Sequence, residues 1–566
     1  MLTGRRPTAV PTAAPPSNRG LHSNAWRRSR SLVPPTAGAL VALTVGGCSS
    51  LGSFDPDASD VPPAERGRPH FELLADELPL DRWTEGVEAA DVDRDGDMDL
   101  FFADGPAFVR PGPKQQNQLV VNRMDEAAAA FSNESVLRLG LHASHAKMVI
   151  TGDVDGDGWI DALFCNAFNT DPPSLFHNRG AAEPGYFDLE SAERGFTEAY
   201  NSGSGQFGDV DDDGDLDLVL CDSGENLLFG EGGVPHLFLN AGDGRFTERA
   251  DLLPLPAKNA HVDVQFADLD GDFDLDLLIP CRAEREGPFH YVARNDGTGR
   301  FEDVSELLCN GSKNVYEIEV GDLDDDADLD LFFVSLDDYS EGAAENVGGP
   351  GEFRFEARGT VGELDDNELA LFDWDVDGDY DVVVGSLAGV EKWLRNDGDF
   401  VFTAVEPIVP GLEDPTMDLT VVDLDGDGRY DLVTAQGEGD PRQFRNRVYM
   451  GRGPRDTRAP VVEAVREGGA SYRRASDEWV AHVRVRDQVS DDGNDWVTAE
   501  GTFRFAGGER GAASVTRMGG GLWRVAVPGS RADGAGHGPR LDVVFTDAAG
   551  NRTSVRLVSE GISSGD

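Results

Sequence analysis

Basic charge is in short supply in this 566-residue chain, where 49 Lys and Arg stand against 105 Asp and Glu for a formal net charge of −56. A surface of that sign repels nucleic-acid phosphates, so nucleic acid is excluded as a partner. Cysteine is scarcer, with five residues and no CxxC or Cys/His spacing that a zinc site would need. HExxH and phosphate-loop patterns are missing, which removes the commonest metalloprotease and nucleotide-handling classes. The longest apolar stretch, LVPPTAGALVALTVGG, covers 16 residues and is too short to cross a bilayer. Turn formers are plentiful instead: 68 Gly and 31 Pro beside 39% hydrophobic residues predict several folded domains rich in short strands.

Residues 1–47 carry six Arg and no acid, and removing them leaves the rest at −62. Arg27, Arg28 and Arg30, the apolar stretch and then Gly46, Gly47 and Cys48 have the layout of an export signal. The 26 residues ahead of that basic cluster are long for such a signal and suggest a misassigned start. The small residues before Cys48 resemble a bacterial lipobox, which implies a lipidated Cys48 and a linker over 48–70. That reading places the protein in a bacterial cell envelope as an outer-membrane lipoprotein, or alternatively outside the cell. Cys165, Cys221, Cys281 and Cys309 then remain for disulfides or buried thiols, and sequence does not choose between these.

One acidic pattern recurs seven times: DVDRDGDMD from Asp91, DVDGDGWID from Asp153, DVDDDGDLD from Asp209, DLDGDFDLD from Asp268, DLDDDADLD from Asp322, DWDVDGDYD from Asp373 and DLDGDGRYD from Asp423. Their starts lie 50 to 62 residues apart, and each copy joins two short apolar strands such as VQFA and LLIP. A unit of that length with about four strands has the size of a propeller blade, and radial packing buries faces that one blade alone leaves exposed. Closure of a ring needs both chain ends in one blade. HFELLADELPL, from His70, matches the outer segment RFTERADLLPL elsewhere, so residues 71–75 are expected to complete the last blade.

Alternating carboxylates on a tight loop converge on a hard cation, the sixth-position Gly allows the turn, and the ninth residue closes the shell. The expected ligands are Asp91, Asp93, Asp95 and Asp99; Asp153, Asp155, Asp157 and Asp161; Asp209, Asp211, Asp213 and Asp217; Asp268, Asp270, Asp272 and Asp276; Asp322, Asp324, Asp326 and Asp330; Asp373, Asp375, Asp377 and Asp381; and Asp423, Asp425, Asp427 and Asp431. Calcium, with its six to eight oxygen ligands and flexible geometry, suits them better than magnesium. Up to seven structural ions are expected. Phe273 and Ala327 replace the turn Gly, so their loops should bind most weakly.

These loops resemble the calcium loops of FG-GAP/VCBS repeat proteins, with the resemblance running over about 71–450, and that family is similar in fold to integrin-type propellers. It implies an all-β seven-bladed propeller over 71–454. Beyond GRGPRDTRAP the acidic repeat stops, and about seven alternating strands predict a β-sandwich over 455–566, whose VFTDAAGNRTS resembles the last turn of bacterial Ig-like modules.

No catalytic residues are assigned. His142, His145 and His261, with Lys147 and Lys258, are weighed as one axial polar site against ordinary loop positions. Trp83, Trp159, Trp374 and Trp393 are weighed as sugar platforms against blade packing. The expected function is a calcium-stabilised, surface-anchored binding or adhesion module for a protein or glycan ligand. The alternatives are a lyase-like polysaccharide enzyme on the same scaffold, or a structural subunit of an envelope assembly.

Overall fold

A computed structural model describes residues 70–558 apart from 75–77, 79–81, 106–109, 125–129, 226–231, 255–257, 282–289, 309–314, 336–339, 362–365, 388, 406–414, 438–444, 467–469, 474–475, 491–496 and 530–537. Cys48 and Cys309 lie outside the described residues.

The alternation of apolar strand and acidic turn produces seven four-stranded antiparallel sheets among the described residues. Blade 1 consists of Thr84–Ala90, Asp99–Asp104, Gln118–Asn122 and Phe131–Asn133, in that order from its first strand outward. The first strands of blades 2 to 7 are Ala146–Gly152, Gly205–Gly208, Gln265–Ala267, Val315–Gly321, Asp366–Phe372 and Thr416–Val422. Each neighbours the first strand of the next blade, and that of blade 7 returns to blade 1, which closes the circle.

Second strands such as Asp161–Asn166 are buried throughout, because both of their faces meet an adjoining blade. Between blades 1 and 2, Phe101 meets Phe164 and Phe187 edge-on at ring distances of 6.1 and 5.8 Å. The expected closure is present. Phe71–Leu73 pairs antiparallel with Arg447–Gly451, Phe71 opposite Gly451, and supplies the fourth strand of blade 7. A ring fastened by its first and last strands leaves no edge strand at the seam.

After blade 7 the chain forms eight antiparallel strands, from Val461–Val465 to Arg552–Val558, in a nearly closed sandwich. Trp479, Val483, Val525, Val543 and Phe545 fill its core. This sandwich sits on the acidic-loop face of the propeller. Asp209 N–H donates to Met518 O at 2.9 Å, Asp373 N–H to Gln488 O at 2.7 Å, and Ser490 N–H to Leu371 O at 2.9 Å.

Candidate metal centres

Each acidic loop bends back through two left-handed residues. The fourth position has φ between 57° and 73° in every copy, from Arg94 to Gly426, and so does the sixth, with φ between 68° and 114°. Glycine takes such a conformation freely, whereas Phe273 (φ 68°), Ala327 (φ 69°) and the β-branched Val376 (φ 61°) take it with strain.

The first Asp secures the turn. Asp209 accepts the N–H of Asp213 and of Gly214 at 3.1 and 3.0 Å, and Asp423 accepts those of Asp427 and Gly428 at 3.1 and 2.8 Å. The ninth Asp ties the loop to its blade. Asp217 accepts the N–H of Val210 at 3.1 Å and of Asn240 at 2.8 Å, and Asp161, Asp276, Asp330 and Asp431 repeat this pair of bonds. The third Asp is different. In six of the seven loops its Oδ1 is buried with no hydrogen-bond partner: Asp93, Asp155, Asp211, Asp270, Asp324 and Asp375. An acceptor withheld from both water and protein is costly unless something else serves it, and a cation is the partner that neighbouring carboxylates suit.

Ligand atoms lie within 4.8 Å of one another in Asp91, Asp93 and Asp95, in Asp209, Asp211 and Asp217, in Asp268, Asp270 and Asp276, and in Asp322, Asp324 and Asp330. The second loop gathers Asp155 and Asp157 with His177, which the sequence pattern passes over because it sits on the blade's third strand. His177 Nε2 lies 2.8 Å from Asp155 Oδ2 and Arg194 Nη2 lies 3.4 Å from the same oxygen, while Arg138 Nη1 donates to Asp93 Oδ2 at 2.9 Å. These outer partners brace one oxygen of the third Asp and leave the other facing the loop, the arrangement by which second neighbours orient metal ligands. Potential divalent-cation sites are therefore built into several loops.

Burial and mutual repulsion push these carboxyls up. Burial comes first in each case and raises Asp99, Asp161, Asp330 and Asp431 to about 8 and Asp217 to about 9. In each, acids within the same loop add to the rise. Without an ion the loops hold protons at neutral pH.

A second recurrence escaped the sequence reading. The last residue of the third strand is Asn in six blades, and its side chain reaches back to the preceding blade. Nδ2 of Asn122, Asn178, Asn240, Asn295, Asn346 and Asn396 donates to the carbonyls of Leu424, Val92, Val154, Val210, Leu269 and Leu323 at 2.7 to 3.0 Å. Each acceptor follows the first Asp of its loop, so the Asn latches blade to blade through the acidic loops. In blade 7 the position is Gly451, where a Cβ would strike Tyr430 O. There the joint is aromatic: Trp374 packs on Trp393 at 4.2 Å and on His70 at 4.7 Å. The signal was the Asn that recurs in LFHNRG, LFLNAG and WLRNDG. We expect Asn240→Ala to cost about 2 kcal/mol in chemical denaturation, since it strips the carbonyls of Val154 and Leu216 of a buried donor.

The histidines do not share a site. His145 bonds to Thr170 Oγ1 and Gly112 O at 2.8 and 2.9 Å, His142 to Ser174 Oγ at 3.0 Å, and buried His261 to Cys281 Sγ at 3.3 Å. Lys147 pairs with Glu85 at 2.6 Å, and Lys258 is exposed. Trp159 lies under the Arg94 guanidinium at 4.6 Å, and Trp374 and Trp393 belong to the seam, so these tryptophans serve blade packing. Cys165, Cys221 and Cys281 are free and buried, and burial raises the thiols of Cys165 and Cys281 to about 12.

Residues 153–220, 224–279 and 373–434 match the FG-GAP-like repeat. The chain is 24% identical over 348 residues to cartilage acidic protein 1 of Xenopus tropicalis, covering 48% of this chain and 52% of that protein. It is 23% identical over 319 residues to cartilage acidic protein 1 of Mus musculus, covering 44% and 48%. The chain thus spans about half the length of the curated relatives it matches. Among solved structures, the Raptor protein of Chaetomium thermophilum covers 66% of this chain and 28% of its own at 11% identity, with a TM-score of 0.39. The vertebrate relatives correct the expectation of a bacterial lipoprotein carried in the cell envelope through Cys48. That expectation rested on a few small residues beside one cysteine, a pattern that a Gly- and Ala-rich stretch produces by chance, whereas the match to the relatives runs over hundreds of residues.

Proposed function

We propose that this chain is a calcium-stabilised binding or adhesion module, with a propeller over 71–454 as a rigid ring and the Ig-like sandwich over 455–566 as its companion. The observation that carries the calcium assignment is the buried, unpartnered Oδ1 of the third Asp in six loops. Together with the first, fifth and ninth Asp of each copy, and a loop carbonyl, it makes an oxygen-only set of the kind calcium takes. All 28 Asp named from the sequence keep this role in the proposal, with His177 an added neighbour at the second loop.

The sandwich occupies the acidic-loop face, which leaves the opposite face of the propeller for recognition. With a net charge of −56 the protein repels sulfated and other anionic polymers, which favours neutral glycans or basic protein surfaces as ligands. The test is a binding screen of the full chain against neutral glycans, sulfated polysaccharides and basic proteins, in millimolar calcium and in chelator, with polysaccharide cleavage followed in parallel. Calcium-dependent capture of a neutral glycan or basic protein without cleavage supports the module. Cleavage, or capture unaffected by chelator, defeats it.

The strained sixth positions give a graded check. Ala327→Gly relieves a left-handed side chain worth about 1 kcal/mol, whereas the Phe273 ring also fills the core of its blade. We expect about fivefold tighter calcium binding at the altered loop by titration calorimetry, with the other loops unmoved.

A further inference from the structure

The first strands carry a feature separate from the loops. Counting back from the first Asp of each repeat, the fifth residue is Asp263, Glu317, Glu368 and Asp418 in four successive blades, while blades 1 to 3 have Gly86, Met148 and Ser204. Two residues further along, on the same face of the strand, stand Gln265, Glu319 and Thr420. The strands form a ring, so these four acids converge from one side on an axial cavity of about 600 Å³. All four are more than nine-tenths buried.

Asp418 accepts the N–H of Val87 and of Leu419 at 2.6 and 2.8 Å. Asp263 Oδ1 accepts from Ser204 Oγ at 3.1 Å, but its Oδ2 is buried, lines the cavity and has no partner. Glu317 and Glu368 line the same cavity wall as Asp263, so like groups crowd one side of the axis and a bridging cation relieves them. The charges acting on Glu317 are those of Asp263, Glu368 and Glu319, all of its own sign. Lys147, beside the axis, pairs with Glu85 at 2.6 Å, and Arg517 of the sandwich lines the same cavity.

We propose that the axial cavity is a further metal site, in which a hydrated divalent cation of the oxygen-ligand class is held by Asp263, Glu317 and Glu368, with Asp418 on the adjoining blade. A divalent ion neutralises two of the crowded carboxylates at once, where an ammonium group neutralises one. The cavity exceeds the volume of a bare ion, and waters complete its coordination shell. Such an ion ties blades 4, 5 and 6 at the axis as the acidic loops tie them at the face.

The test uses crystals of the full chain in millimolar Mn²⁺, with anomalous scattering to locate the metal, and compares wild type with Glu317→Gln/Glu368→Gln. Gln keeps the shape and removes the repulsion, so the double variant should fold. We expect a peak beside Asp263 in wild type, lost in the variant while the loop peaks persist, and one fewer equivalent of bound Mn²⁺ in solution. Loop peaks with an empty axis, an organic cation on the axis, or an axial peak that survives the double substitution would each overturn the proposal. Loop peaks report separately on the calcium loops, so the two readings fail independently.

Discussion

Chelation should lower the melting temperature of this protein by an amount that grows steeply between pH 5 and pH 8. The ninth-position carboxyls titrate at 3.8 in the unfolded chain and at about 8 when buried in the metal-free loops, as at Asp161 and Asp330. A raised carboxyl means that the folded state holds the extra proton between those values. Its contribution is fully present below the unfolded pKa and is lost as pH rises through the folded one. In chelator, therefore, stability falls from pH 5 to pH 8. In calcium the ion replaces the protons, and binding strengthens as protons cease to compete. Each site filled at a hundredfold over its Kd adds about 2.7 kcal/mol. Several sites together put the gap at pH 8 on the order of 10 °C or more. Calorimetric scans in calcium and in chelator at pH 5, 6.5 and 8 check this. A gap that is absent, or equal at all three values, contradicts the metal reading of the loops.

Arg524→Ala should uncouple the sandwich from the propeller at a cost of about 3 kcal/mol. Asp212 projects from the third acidic loop and is 4% exposed. Arg524 Nε meets its Oδ1 at 3.0 Å, Arg473 reaches its Oδ2, and His482 Nε2 lies 3.0 Å from that same oxygen. His482 adds no charge to the cluster, because burial, then the nearby arginines, press its pKa down to about 3. Arg524 also holds Glu478 at 2.9 Å, so its loss releases Glu478 and leaves buried Asp212 to Arg473 alone. One calorimetric transition in wild type should split into two in the variant, with metal content unchanged. A single transition at the wild-type temperature would show that the cluster does not couple the domains.

The same cluster shows where sequence reading ends. Seven copies of one acidic pattern announced seven blades, and the stretch after His70 announced its own place in the last of them, because repeat spacing and strand alternation are written locally. Phe273 and Ala327 stood out for the same reason, and both take the left-handed φ of the turn. The Asn latches were on view in six of the seven blades yet unreadable, since their acceptors lie 73 to 86 residues earlier, or 302 residues away at the ring seam. His177 was hidden likewise, as the pattern that defines a loop does not extend to the strand beside it.

The sequence by itself determined the number of blades, the loop ligands on offer, the strand that locks the circle and the sandwich that follows, all through short-range periodicity of apolar and acidic residues. Only the tertiary structure decided which oxygens are left without partners, which arginines of the sandwich enter the acidic loops, and that Asp263, Glu317, Glu368 and Asp418 line one side of the axial cavity. Those outcomes depend on bringing distant strands to a common centre, and burial then sets the cost of each unpaired charge.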